Sequence, residues 1–485
     1  MNRARRPGLF LVCVVLAGVS NAAAQALTFE PYPLKHASGE EPAEIGRLTV
    51  VENRVRGGTR TIQLAVVRLR SRAALPGPPI VYLAGGPGSS GIAAAQGPRF
   101  PLFDSLREIA DVILLDQRGV GSSRPNLNCS ERWNFDPAPA RTFATLLEIA
   151  TARISSCAER LRAQSVDLSA YNTQESADDV EELRRALGVP QVSLLGISYG
   201  THLALSILKR HEARINRVVL AGVVGPGHVL KLPSNIQRAL ERVDAELQTH
   251  AFWRTQPGLV RMLAEALPRL EQAPAAIALM TPQGPVTVSL SAVDVRVLVS
   301  VLLEDRATIQ GLPLMVRSLS AGQIEPFARA MLGLRTQPVP SAMNLAVECA
   351  SGASDDRWQQ ILREEPRALL GRLLDFPQPF VCDMLGAGKL GDDFRRPVAS
   401  IVPALLISGA LDSRTPPENA EEVRNGLPNS AHVVIERAGH DDDLLISTPA
   451  IGERIRAFLR DGVSRSERIP LPPIPFAVPD TGRTQ

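Results

Sequence analysis

The sequence predicts an α/β fold, with a mainly parallel sheet, helices on both faces and a helical cap inserted after one core strand. Three observations carry this expectation. Short apolar runs alternate with helix-like runs between residues 79 and 221, the pattern of parallel strands joined by crossover helices. The alternation stops after Gly225-Pro226, where mostly amphipathic helical sequence runs from about residue 228 to 398. It resumes at Pro403 with another buried-strand run.

Taken in order, residues 46–55 and 61–72 read as two strands with Gly57-Gly58 as the turn between them, an antiparallel edge to the sheet. Residues 79–83 form a short buried strand that runs into Gly85-Gly86-Pro87-Gly88-Ser89-Ser90-Gly91. Residues 111–115 form the next and end in Asp116-Gln117-Arg118-Gly119. A helical pattern over 176–187 stops at Gly188 and Pro190. Strand 192–195 leads straight into Gly196-Ile197-Ser198-Tyr199-Gly200, followed by a helix to about His211 and a strand over 217–221. Inside the insertion, 236–247, 257–273, 292–302 and 324–332 read as helices. Beyond it, 403–408 and 432–436 read as strands, and 418–425 and 450–460 as helices. The proline-rich sequence from Ile469 onward reads as a strap or a loose end. The division expected is a leader over 1–24, a core over 25–225 and 399–465, a cap over 226–398, and a tail over 466–485.

Composition is that of an ordinary globular protein, 45% apolar and 21% charged, with a net charge of +3. There is no basic stripe with interleaved aromatics, so no nucleic-acid partner is expected. Arg3, Arg5 and Arg6 precede an apolar run over 8–19 and the small residues Ser20-Asn21-Ala22-Ala23-Ala24. That order predicts a secretory signal cleaved after Ala24 or Ala26, and a periplasmic or secreted protein. The apolar run is short for a bilayer span, so no stable membrane association is expected after cleavage. Cys13 falls inside the signal and follows Val12, unlike a lipid-attachment cysteine. The four remaining cysteines contain no C-x-x-C spacing, so disulfides are expected rather than a metal. The pairings local in sequence are Cys129–Cys157 and Cys349–Cys382.

Strand, Gly196-Ile197-Ser198-Tyr199-Gly200 and helix together fit G-x-S-x-G in the context that gives the motif meaning. A strand reversing sharply into a helix crowds the backbone on either side of the apex, which only small residues tolerate. The apex residue is strained, and its hydroxyl projects from the sheet edge beside a helix N-terminus. Ser198 is therefore the expected nucleophile, and it needs a base. Of seven histidines, His440 alone follows a strand through Ala438-Gly439 into the loops at the carboxyl ends of parallel strands. His432 starts that strand and faces the wrong end, while His202 and His211 lie on the helix after Ser198. His36, His228 and His250 have no supporting context. Asp412 follows strand 403–408 and is the expected orienting carboxylate. Asp441, Asp442 and Asp443 adjoin His440 and read as solvated loop acids, while Asp116 and Asp179 read as structural. The oxyanion donors expected are the backbone N–H groups of Tyr199 and Gly86, with Gly85 second. Gly86-Pro87-Gly88-Ser89-Ser90-Gly91 also satisfies G-x-G-x-x-G, but Pro87, Pro98 and Pro101 break up the helix a dinucleotide site requires. No cofactor or metal is expected.

The motifs Gly85–Gly91, "DQRGVGSS" from Asp116, "GISYGTHLAL" from Gly196, "SGALDSRTP" from Ser408 and "AGH" at 438–440 occur in one order. With "AMNLAVECA" from Ala342, they resemble the proline iminopeptidase and tripeptidyl aminopeptidase family of α/β-hydrolases, serine peptidase family S33, across nearly the whole mature chain. The resemblance implies an α/β-hydrolase fold and an exported serine exopeptidase that acts on free peptide N-termini, with Ser198, Asp412 and His440 as its triad. This chain has Ala84 where the family often has histidine, and Ser351-Gly352 where the family often has acids after the cap cysteine. Glu348 could stand in for those acids, or serve as a solvated or helix-capping group. The substrate expected is a short peptide. A small ester cleaved by the same machinery is the alternative, and a non-catalytic binding protein the remote one.

Overall fold

The computed structural model describes residues 27–479, so the expected leader over 1–24 and the end of the tail over 480–485 lie outside the described residues. In chain order the strands are β1 (Phe29–His36), β2 (Gly39–Val51), β3 (Thr61–Leu69), β4 (Ile80–Leu83), β5 (Val112–Leu115) and β6 (Val192–Ile197). They continue with β7 (Ile215–Ala221), β8 (Ala275–Thr281), β9 (Gly284–Leu290), β10 (Ala404–Gly409), β11 (Ser430–Ile435) and β12 (Glu467–Ile469). Among the described residues, ten of them form one sheet in the order β1-β2-β3-β5-β4-β6-β7-β10-β11-β12. The pairs from β1 to β5 are antiparallel. Every pair from β5 to β12 is parallel.

The central strands are apolar throughout because both faces are covered. Successive side chains of a strand point to opposite faces. Val81 and Leu83 accordingly enter one core with Leu203 of helix Tyr199–His211. Ile80 and Tyr82 enter the other with Phe103 and with Phe458 of helix Pro449–Asp461. All the parallel strands therefore end at one rim, where connecting loops carry the polar groups.

Three features depart from the expectations. β1 was not anticipated: Pro31 and Pro33 argue against a strand, yet it is the outermost strand, where a missing N–H costs no ladder bond. The insertion is not all helical, since β8 and β9 pair as an antiparallel hairpin. Their exposure alternates with period two, from exposed Ala276, Ala278 and Met280 to buried Leu279, which the surrounding helical pattern masks. Nor is the insertion one body. Residues such as Leu263, Leu298, Ile309 and Phe327 form an apolar core of their own, whereas Met343, Leu345 and Leu385 pack into the core cluster of the sheet.

The tail is a strap. β12 lies parallel to β11, and beyond it Ile474 and Phe476 bury in the cap core. Trp253 Nε1 donates to Ala477 O at 3.1 Å, and Ala477 N donates to Gln310 O at 3.0 Å. Both disulfides have the expected partners, Cys129–Cys157 and Cys349–Cys382, with Cα separations of 5.5 and 5.3 Å. No helix among the described residues is long and apolar enough to cross a membrane.

If the tail fastens the cap, Phe476→Ala should cost about 3 kcal/mol in urea unfolding. Amide exchange should then quicken first in cap helices Leu259–Gln272 and Arg306–Ser320. Faster exchange confined to β11 and β12 would contradict that role.

Candidate active site

The turn after β6 sets the position of everything else. Ser198 sits there at φ 52° and ψ −122°, a conformation that costs a non-glycine residue about 1–3 kcal/mol. Its surroundings hold it in place: Ser198 N donates to Ala221 O at 2.8 Å, and Thr201 N and Oγ1 both donate to Ser198 O, at 2.8 and 2.7 Å. The flanking glycines are there for space. A Cβ on Gly196 would lie 2.5 Å from Gly200 O, and one on Gly200 would lie 1.9 Å from Leu83 O.

The three expected side chains meet at this rim. Ser198 Oγ lies 3.0 Å from His440 Nε2, and His440 Nδ1 lies 2.8 Å from Asp412 Oδ2. Asp412 is wholly buried and His440 is 3% exposed. Burial works against a charged Asp412, but His440, Thr415 and backbone donors outweigh it and hold the carboxyl below its usual range. Thr415 Oγ1 donates to Oδ2 at 2.6 Å, and the N–H groups of Arg414 and Thr415 donate to Oδ1 at 2.8 Å each. An ionised Asp412 requires the imidazole proton to sit on Nδ1, which leaves Nε2 free to accept from the serine hydroxyl.

The loop after β4 forms the facing wall. Asp116 anchors it, accepting from Ser90 Oγ at 2.5 Å, Ile92 N at 3.1 Å and Ser122 N at 2.7 Å. Asn344 Nδ2, from cap helix Ala342–Ser351, donates to Pro87 O at 3.1 Å. Gly86 and Tyr199 both line the cavity beside Ser198. Among the described residues, neither N–H donates to a backbone carbonyl, so both are free for a ligand oxygen.

This cavity has a volume of about 310 Å³ and is also lined by the charged residues Lys231, Glu348, Asp375 and Arg414. Glu348 is half-buried, and among the described residues its carboxylate makes no ion pair within 4 Å. Burial pushes it up to about 7, reinforced by Asp375 and opposed by Lys231 and Arg414. Among the described residues its carboxylate caps no helix end, and part of it stays open to the cavity. Asp375 is a second acid in the same cavity, and sequence reasoning missed it because it belongs to no motif. Its Oδ2 accepts from Lys231 N at 2.7 Å, Lys231 Nζ lies 3.6 Å away, and burial raises its carboxyl despite that lysine.

The remaining histidines have partners of their own. His202 Nδ1 contacts Gly225 O at 3.2 Å and Nε2 contacts Ser351 Oγ at 3.2 Å; burial, chiefly, lowers it to about 4, so it stays neutral. His432 bridges Glu421 and Ser408, and His211 bonds Asp178. Asp179 has the structural role expected, held against the fully buried Arg118 at 2.7 Å. Of the three acids after His440, Asp441 is exposed, as expected, and Asp442 and Asp443 are partly so. Asp441 and Asp442 both pair with Arg99, which also donates to Tyr82 Oη, and Asp443 accepts from two backbone N–H groups.

Among known proteins, the serine protease Hip1 of Mycobacterium tuberculosis (strain ATCC 25618 / H37Rv) is 31% identical over 153 residues, 30% of this chain and 29% of that one. The tripeptidyl aminopeptidase of Streptomyces lividans is 29% identical over 205 residues, 38% of this chain and 36% of that one. The proline iminopeptidase of Arabidopsis thaliana is 29% identical over 147 residues, 30% of this chain and 27% of that one. The chain thus spans only about a third of the length of these relatives. Among solved structures, a meta-cleavage product hydrolase from Pseudomonas fluorescens IP01 superposes with a TM-score of 0.39 at 13% identity, over 83% of this chain and 96% of that one. A profile described as the alpha/beta hydrolase fold matches residues 78–442, three quarters of the sequence. The chain belongs to the alpha/beta hydrolase fold family.

Proposed function

We propose that this protein is a serine exopeptidase that cleaves short peptides from a free N-terminus through an acyl-enzyme. The observation that carries the reading is that one cavity is lined both by Ser198 and His440 and by Glu348 and Asp375, Glu348 making no ion pair among the described residues. An α-ammonium held by Glu348 positions the first residues of a peptide so that a nearby carbonyl meets Ser198. Similarity to a tripeptidyl aminopeptidase and to proline iminopeptidases supports the same class.

In this mechanism Ser198 Oγ attacks the scissile carbonyl while His440 Nε2 takes its proton. Asp412 stabilises the imidazolium, and the Gly86 and Tyr199 N–H groups receive the oxyanion. His440 returns the proton to the leaving amine, and water repeats the sequence to release the acid. An activated small ester enters the same acylation step, so ester turnover by itself does not separate a peptidase from an esterase. Dependence on the substrate amine does. Two disulfides, together with the charged and apolar start of the sequence, support export to an oxidising compartment.

Ser198→Ala should lower kcat on a tripeptidyl anilide by about 10⁴-fold or more. Acylating the amine of that anilide should abolish turnover by the wild type. Equal turnover of free and acylated substrates would sink the exopeptidase reading and leave a general esterase or amidase.

Glu348→Gln should raise KM for the free-amine anilide by roughly 10- to 100-fold, the range for a hydrogen bond to a charged group, and leave an amine-free ester unaffected. A carboxyl raised to about 7 is neutral below that pH and charged above it. The free-amine substrate should therefore gain kcat/KM, relative to the ester, as pH rises through about 7. The gain should fade above about 8, where the α-amine loses its proton. A pH profile in which the two substrates run parallel would contradict the role of Glu348.

A further inference from the structure

The cap grips both loops that carry the residues acting with Ser198, those of Asp412 and His440. Helices Ala292–Leu302 and Arg306–Ser320 are joined by the short link 303–305. Glu304 O accepts the backbone N–H of His440 at 2.6 Å. The Glu304 carboxylate also pairs with Arg414, Oε1 to Nε at 3.0 Å and Oε2 to Nη2 at 3.3 Å. The Arg414 N–H in turn donates to Asp412 Oδ1. One residue of the cap therefore contacts the loop of the base through its main chain and the loop of the orienting acid through its side chain.

Its neighbours do the same. Ser413 Oγ donates to Leu303 O at 3.1 Å. Asp443 Oδ2 accepts from Gly439 N at 2.8 Å and from Arg306 N at 2.9 Å, joining the base loop to the first turn of a cap helix. Gly439 has no room for a side chain: a Cβ there would lie 2.5 Å from Glu304 O and 2.8 Å from the Asp305 Cα. The glycine before His440 is thus explained by the seat it offers the cap backbone.

We propose that Glu304 is a positioning residue, holding His440 and Asp412 in register with Ser198 from the cap side. The inference rests on the reading of Ser198 as nucleophile, but not on peptide specificity. The test is the rate at which a fluorophosphonate labels Ser198, paired with kcat and KM on an amine-free ester. Glu304→Ala and Arg414→Ala should each slow labelling by about 10-fold, and the double variant no more than either one, because both break a single linkage. Gly439→Ala should slow labelling by about 100-fold, the cost of displacing a reacting group by roughly 1 Å. The losses should fall on kcat with KM unchanged, while Glu304→Ala keeps the melting temperature of the wild type. Wild-type labelling rates in Glu304→Ala and Gly439→Ala, losses confined to KM, or additive losses in the double variant would overturn the proposal. A wild type that does not label would remove the nucleophile and this inference with it. A wild type that labels yet ignores free-amine substrates would remove only the exopeptidase reading.

Discussion

The reversal at Ser198 is the constraint from which the other arrangements follow. β6 must pass directly into a helix, so the backbone of Gly200 presses against the Leu83 carbonyl and Gly196 against Gly200. Nothing with a side chain fits at either position. The strain at Ser198 is retained because Ala221 and Thr201 fix its N–H and carbonyl. Its hydroxyl is thereby presented at the carboxyl end of the sheet, next to the free N–H of Tyr199. Loops from β4, β10 and β11 reach the same rim because all these strands run parallel.

Charge is handled differently at Asp412 and at Glu348. Around Asp412, burial is offset by three donors and the imidazole, so the acid stays ionised and directs the His440 proton. Around Glu348 the compensation is incomplete, and the group is left only partly ionised near pH 7. An acid in that condition gains most from a cationic ligand, whereas Asp375 already has Lys231 beside it. The cap supplies both acids and also braces the loops of His440 and Asp412, so substrate binding and the geometry of attack share one scaffold.

Much of this was legible in the sequence. Strand-turn-helix context marked Ser198, and the positions of Asp412 and His440 just beyond strands brought both to its rim. The local cysteine pairings also match the structure. What stayed hidden depends on contacts between distant segments. Pro31 and Pro33 disguise β1 because propensity says nothing about which strand lies outermost. The β8–β9 hairpin is short and sits among strong helical periodicity. Asp375 and Glu304 carry no motif, and only the fold brings them beside Lys231 and Arg414. The pairing of Asp441 and Asp442 with Arg99 stayed hidden because Arg99 lies more than three hundred residues earlier.

The central claim is that His440 stands between Ser198 and an ionised Asp412 with its proton on Nδ1. Low-field proton NMR observes that proton directly. The account predicts a protected resonance far downfield of the amide region, lost in His440→Ala and shifted when a phosphonyl group is attached to Ser198. A spectrum with no such resonance, or one that is indifferent to modification of Ser198, would contradict it.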